Sequence, residues 1–433
     1  MEKIKSLPLF KIIYWIPGLV PLYHFLLAWA GALLYGWPSE NIFVVGVTGT
    51  KGKTTTLELV NAILEAAGKK TALLSSLRVK IDEESKKNKT GNSMPGRFYI
   101  QRFLKKAVKA GCKYALIEVT SQGVIFHRHR FVNWNMGILT NIAPEHIEAH
   151  GSFEKYREAK LKFLKYVGKK RGKIFINSGD KNADFFLDKL ESFYPKSYSR
   201  NDVEIAQIFP KLYPLRAAAG IAPPPFLLSD FNKDNAAAAV SVAKDLGISE
   251  NTIEEALHRF SGVSGRMEFV QRKPFSVVID YAHTPDSLEA VYKSFEDLEL
   301  HIQNFNPKLI CVLGAAGGGR DKWKRGAMGK VASGYCDEIV LTNEDPYDER
   351  PAEILSEIKS GIPADFPPAS VHEILERKEA VKKALSLAKE GDVVIITGKG
   401  SEEWIHLARG KKIPWDERAV IEEALKNRKL GST

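Results

Sequence analysis

Residues 46–56 read GVTGTKGKTTT, which places three glycines, two lysines and a run of threonines within eleven positions. Backbone N–H groups of such a loop can wrap a phosphate, a lysine can reach the terminal phosphates of a nucleoside triphosphate, and a hydroxyl can hold Mg²⁺. Here Gly49, Thr50, Lys51 and Gly52 supply the loop, Lys53 the cation, and Thr54 or Thr55 the hydroxyl. The usual spacing would put the first glycine at position 47, which is Val47; the glycines stand at 46, 49 and 52 instead. Further along, Glu118 ends an apolar run and suits one Mg²⁺ together with a loop threonine. His146 by itself reads as a structural histidine, and Lys160 by itself as an exposed lysine on a helix.

The elements around these residues decide between accident and site. NIFVVGVTG (41–49) is a β-branched run that breaks into glycines, and KTTTLELVNAILEAAG (53–68) has helical spacing up to a terminal glycine. Strand, glycine loop and helix in that order turn the loop amides and the helix N-terminus toward an anion. Strands are expected at 114–121, 136–142 and 173–180, a helix at 153–167, and an alanine-rich helix at about 232–246 after the Pro-rich stretch GIAPPPFLLSD. Small residues near 260–270 suggest a hinge, beyond which four apolar runs (275–283, 308–319, 338–346, 392–400) each end in small or polar residues. Such units predict a second open parallel sheet with ligands at the strand carboxyl ends.

A chain of 433 residues is expected to hold two or three domains, and its 44% hydrophobic and 27% charged content is that of a globular enzyme. The net charge of +11 permits an anionic partner, but nucleic-acid-binding signatures are absent and no nucleic-acid partner is expected. Much of the excess lies in KYREAKLKFLKYVGKKRGK (155–173), where lysines alternate with an apolar stripe, as on a solvated helix face. Cys112, Cys311 and Cys336 are widely separated, so neither a disulfide framework nor a zinc site is expected, and a reducing cytoplasm fits. Residues 12–39 carry no Asp, Glu, Lys or Arg, yet Pro17 and Pro21 interrupt them. A packed or interfacial helix is the expectation, with peripheral membrane contact through 12–39, rather than a span.

The loop TGTKGKTTT resembles that of the Mur ligase superfamily, ATP-dependent amino-acid ligases of cell-wall and folate metabolism. The resemblance continues through EVTSQG (118–123), LTNIAPEHIEAHGSFEKYREAK (139–160), FNKDNAAAA (231–239) and GRME (265–268). VIDYAHTPDSLE (278–289), GGGRDKWKR (317–325) and GKGSE (398–402) are similar to the MurE branch, the UDP-N-acetylmuramoyl-tripeptide synthetases. It implies an α/β fold: a P-loop central domain with a parallel sheet (41–263), a C-terminal Rossmann-like domain (264–433) that closes over ATP, and a short apolar helical N-terminal segment (1–40).

The chemistry implied is amide formation through an acyl phosphate, which brings a carboxylate against a triphosphate and so requires cations to offset the repulsion. By resemblance, Lys53, Glu118, His146 and Lys160 form the catalytic set. Two Mg²⁺ are held by Thr54, Glu118, His146 and a carbamate that CO₂ forms on Lys160. Asn235 contacts adenine, Arg266 lies near the phosphates and Asp280 binds the ribose. Ser121 and Arg128 face the acceptor peptide, while Asp345, Tyr347, Gly398 and Glu402 face the incoming amino acid. The acceptor implied is a UDP-N-acetylmuramoyl-dipeptide and the enzyme a cytoplasmic monomer.

Several positions depart from the pattern. Gln122 and Ser401 stand in place of histidines, and EDPY (344–347) stands where diaminopimelate enzymes have D-N-P-R. Without that arginine, and with Asp345 adding negative charge, lysine or ornithine is expected in preference to meso-diaminopimelate. About 40 largely apolar residues stand where the family has a uridine-nucleotide domain. A lipid-linked muropeptide or a γ-glutamyl acceptor therefore stays open, as does a non-catalytic P-loop binding protein.

Overall fold

The computed structural model describes residues 19–145, 147–208, 229–299, 307–319 and 322–430. His146 lies outside the described residues. The chain divides into two compact units, residues 1–221 with 233–260, and residues 222–232 with 261–433.

The first unit is built on an eight-stranded sheet in the order β4-β3-β2-β5-β1-β6-β7-β8. Its strands are β1 Phe43–Thr48, β2 Thr71–Leu74, β3 Arg78–Ile81, β4 Glu84–Lys87, β5 Tyr114–Glu118, β6 Trp134–Leu139, β7 Lys173–Asn177 and β8 Lys196–Tyr198. All pair in parallel except β3 and β4, which form an antiparallel edge that the sequence reading did not foresee. The apolar runs read as strands are buried on both faces, as a helix-covered parallel sheet requires. Register sets the site: β1 lies between β5 and β6, with Val47 opposite Glu118 and Thr48 opposite Leu139. The carboxyl ends of all three strands therefore open side by side.

Around the sheet run α1 Leu19–Tyr35, α2 Lys53–Ala66, α3 Arg97–Lys109, α4 Ser121–Ile125, α5 Phe153–Lys169 and α6 Asp230–Asp245. In α5 the apolar positions Leu161, Phe163, Leu164 and Val167 join the core, and Ser152 caps its start by accepting from the Lys155 N–H at 3.3 Å. The apolar N-terminal segment forms α1 and buries His24, Ala28, Gly31 and Ala32 on one face. A Cβ on Gly31 would lie 3.7 Å from Arg97 and Phe98 atoms, so α1 packs closely on α3. Among the described residues no helix is long and apolar enough to cross a membrane.

The second unit carries a six-stranded sheet, β13-β12-β11-β14-β10-β9. The strands are β9 Glu268–Gln271, β10 Ser276–Ile279, β11 Leu309–Leu313, β12 Glu338–Thr342, β13 Val371–Ile374 and β14 Val393–Ile396. Only β9 runs antiparallel. A hairpin, β15 Trp404–His406 with β16 Lys412–Pro414, follows. The cysteine expectation is corrected here, because Cys311 and Cys336 are joined by a disulfide across a Cα separation of 6.0 Å. Linear spacing hid the pair. The crossover helix between β11 and β12 returns the chain beside its starting strand, bringing residues 25 apart into contact. Cys112 is free and buried.

Candidate active site

In the first unit the loop between β1 and α2 closes through two glycines. Gly52 caps α2 at φ 81°. A Cβ there would lie 2.1 Å from Asn235 Oδ1, and one on Gly49 would lie 1.9 Å from Thr140 Oγ1. No other residue type fits either position, so the backbone stays bare where a phosphate would be cradled. Lys53 curls back over the loop, its Nζ donating to the carbonyls of Gly49 and Thr50, both at 3.0 Å.

Behind the loop stands a clasp that the sequence reading did not single out. The Thr50 N–H donates to Asn141 O at 2.9 Å and the Lys51 N–H to Asn141 Oδ1 at 2.9 Å. Thr140 Oγ1 donates to Lys51 O at 2.6 Å. Thr140 and Asn141 follow β6, and the signal for them is the Thr-Asn pair that opens the family-like stretch 139–160. Lys51 Nζ reaches Glu145 at 2.7 Å.

Glu118 ends β5 and is buried, with Thr54 Oγ1 donating to its carboxylate. Ser76 joins them, its Oγ 3.0 Å from Thr54 Oγ1 and 3.4 Å from Glu118 Oε1. The three oxygens form one hard-ligand cluster at the first turn of α2. Thr55 is buried beside it, and Thr56 Oγ1 donates to Asn235 Oδ1 at 3.3 Å.

Lys160 is not the exposed lysine its position on a charged helix suggested. It is 1% exposed, donates to the Gly49 carbonyl at 2.7 Å and lies 4.6 Å from the centre of the Tyr156 ring. Tyr156 in turn donates to Thr50 Oγ1 at 3.1 Å. Burial, reinforced by the charge of Lys53, pushes the Lys160 amine far below the ordinary lysine range. Ser121 starts α4 just after Glu118, 3.1 Å from His150 Nε2. Arg128 is turned inward, donating to the Met94 carbonyl, and burial alone lowers its pKa.

The predicted residues of the second unit form a separate constellation. Asp280 accepts from the N–H groups of Met267 at 2.8 Å and Ala282 at 2.7 Å. The Arg266 guanidinium lies 4.2 Å over the Tyr281 ring. Lys399, 0% exposed, bridges Asp345 at 2.9 Å and Glu402 at 2.6 Å. Glu402 also accepts from Tyr281 OH at 2.8 Å, and Asp345 from the His406 N–H at 2.8 Å. Tyr347 stacks on His406, with ring centres 5.2 Å apart at 21°. Gly398 sits at φ 101° against the buried Glu344, whose carboxyl burial pushes upward. Lys399 lies within the stretch GKGSE (398–402), and its pairing with Asp345 is not visible in linear order.

Residues 47–210 match the Mur ligase middle domain and residues 265–400 the Mur ligase glutamate ligase domain. The chain is 34% identical over 413 residues to the UDP-N-acetylmuramoyl-L-alanyl-D-glutamate–2,6-diaminopimelate ligase of Syntrophomonas wolfei, covering 93% of this chain and 82% of that protein. A solved structure of an enzyme of the same name is 26% identical with a TM-score of 0.56, covering 90% of this chain and 79% of that one. The Yersinia pestis folylpolyglutamate synthase/dihydrofolate synthase, solved with AMPPNP and manganese, shares the fold at a TM-score of 0.64 and 20% identity, covering 86% of this chain and 90% of its own. The chain belongs to the Mur ligase family of ATP-dependent, ADP-forming amide ligases, in its MurE-type branch.

Proposed function

We propose that this enzyme joins a diamino acid to the terminal carboxylate of UDP-N-acetylmuramoyl-L-alanyl-D-glutamate, with ATP as co-substrate, and that it does so as a cytoplasmic monomer. The observation that carries the reading is the buried, cation-flanked Lys160 against the carbonyl of Gly49, beside Lys53 and the loop.

The loop fits a triphosphate because the two glycine positions have no room for a Cβ, leaving bare backbone for the phosphates. Lys53 offsets charge at the terminal phosphates. Asn235, Arg266 and Asp280 are assigned to the nucleotide. Thr54, Glu118, His146 and a carbamoylated Lys160 would hold Mg²⁺, which when bound supplies positive charge where a carboxylate meets a triphosphate. The buried oxygens of Thr54, Glu118 and Ser76 suit that hard cation.

Lys160 fits the carbamate. Only a neutral amine is nucleophilic, and burial with Lys53 nearby shifts this one toward that form. Its nitrogen attacks the carbon of CO₂ and loses a proton to solvent, so a base becomes an anion that neighbouring Lys53 stabilises. Ser121 and Arg128 are assigned to the acceptor, and Asp345, Tyr347, Gly398 and Glu402 to the amino acid.

The choice of amino acid is revised. The case for lysine rested on Tyr347 and on the charge of Asp345, and Lys399, shared between Asp345 and Glu402, offsets part of that charge. The Syntrophomonas wolfei relative is named for diaminopimelate. Diaminopimelate is therefore the amino acid proposed. Phosphate release measured against a panel of acceptors and amino acids tests the whole reading. Turnover with the UDP-linked dipeptide and diaminopimelate is expected. Turnover only with a γ-glutamyl or lipid-linked acceptor would overturn it.

A further inference from the structure

Two features of the first unit lie against each other, and the side chains that distinguish them are not among those assigned to the ligation chemistry. The first is the outer face of α1. Leu22, Leu26, Trp29 and Leu33 recur at helical spacing opposite the buried His24, Ala28, Gly31 and Ala32, and each is about half exposed (50%, 51%, 45% and 49%). Phe25 and Leu34 widen the face, and α1 contains no charged residue. The second is a groove of about 580 Å³ along α5, lined by Arg130, Lys155, Lys162, Lys165 and Lys169 against a single acid, Glu158.

Arg130 joins them. Its guanidinium lies 6.0 Å from the centre of the Phe25 ring on α1 and 5.2 Å from that of Tyr166 in the groove. Phe25 packs on Phe131 at 5.0 Å. An uncharged apolar stripe thus meets, at Arg130, a groove that carries five cations.

We propose that the outer face of α1 and the basic groove of α5 together seat the enzyme on an anionic phospholipid bilayer. The inference goes beyond the ligase reading and does not depend on it. Charge complementarity selects the occupant: lysines and arginines beside an apolar helix face meet acidic headgroups while the apolar side chains enter the acyl boundary. In this proposal α1 lies in the plane of the interface. A second copy of this chain is disfavoured, because a two-fold contact would set like-charged grooves near each other.

Full-length protein is sedimented with vesicles of phosphatidylcholine alone and of phosphatidylcholine mixed with phosphatidylglycerol. Binding to the anionic vesicles is expected to be at least roughly tenfold tighter and to weaken as salt rises. The triple variants Leu26→Ser/Trp29→Ser/Leu33→Ser and Lys162→Gln/Lys165→Gln/Lys169→Gln should each lose roughly tenfold or more. Thermal melts show whether each variant remains folded. The conservative Trp29→Phe variant adds a second readout, since it should remove part of the fluorescence quenching caused by brominated acyl chains. Equal binding to both vesicle types, no binding at all, or unchanged quenching in Trp29→Phe would overturn the proposal. So would concentration-dependent dimers, without vesicle binding, that the α1 triple variant abolishes.

Discussion

Lys160 and Lys399 are both buried lysines at the mouths of parallel sheets, 1% and 0% exposed, and their surroundings drive them in opposite directions. Lys160 meets a carbonyl and an aromatic ring, with Lys53 close by, and its amine is pushed far below the lysine range. Burial opposes the charge of Lys399 too, but Glu402, Asp345 and Glu344 outweigh it and hold the ammonium above that range. Desolvation is common to both, so the count of neighbouring carboxylates decides. A buried lysine without a dominant anion is left reactive. One bridging two anions becomes a strut.

The largest expected effect breaks the first half of that contrast. Lys160→Ala should lower turnover by on the order of 10³-fold while the melting temperature stays near that of the parent. Added formate or acetate should restore part of the activity by supplying the missing anion. Full activity in the variant without any carboxylate would remove the carbamate from the proposal. The second half predicts a loss of stability. Lys399→Met strands Asp345 and Glu402 without their counter-ion and should cost about 3–5 kcal/mol of stability, read from urea unfolding. If that variant unfolds like the parent, the bridge is not a strut.

Two smaller effects probe the acids and the specificity residue. Glu118→Gln keeps the shape of the Thr54–Ser76 cluster but removes its charge, so half-maximal activity should need about 10–100-fold more Mg²⁺. An unchanged requirement would place the metal elsewhere. Tyr347→Arg restores the cation expected to meet a distal carboxylate, and the lost pairing corresponds to about 1–3 kcal/mol. The ratio of diaminopimelate to lysine turnover should rise about tenfold or more. A static ratio points to Lys412, which pairs with His406 across the hairpin beside Tyr347, as the cation already in use.

The sequence carried the local part of this picture and missed most of the long-range part. Strand, glycine loop and helix follow from neighbours in the chain, and so does α1. The Asn141 clasp joins residues 90 apart, and the disulfide joins residues 25 apart; both depend on which strands lie side by side. Strand order is set by crossover connections, which periodicity does not encode. Burial of Lys160 was hidden for a related reason. A lysine on a charged helix reads as solvated until the sheet it faces is known, and only the family motif pointed inward. The partner of Asp345, Lys399, stands 54 positions away and could not be read from linear order.

His24 extends the comparison from lysine to a weaker base. It sits on the buried face of α1, and neither ring nitrogen has a hydrogen-bond partner among the described residues. Burial first, then the charges of Arg97 and Arg128, pushes its pKa down to about 4. His127, in edge-on contact with Phe25, is likewise pushed down to about 4 by burial, Lys162 and Arg130. In the unfolded chain an imidazole titrates near its ordinary value of about 6.5. Between that pH and about 4 the unfolded chain binds more protons than the folded one. The contribution of these histidines should therefore be flat above about 6.5 and fall as pH drops toward 4. His24→Phe replaces one of these histidines, a set that His129 joins through deeper burial, with a ring that packs against Phe126, which lies 5.0 Å from the imidazole. Melting curves across this pH range should show a shallower fall in the variant, by roughly 2–4 °C at the acid end. The parent and variant should coincide above about 7. Equal slopes would mean that His24 is already charged in the folded protein, and that cations alone do not keep a buried base neutral.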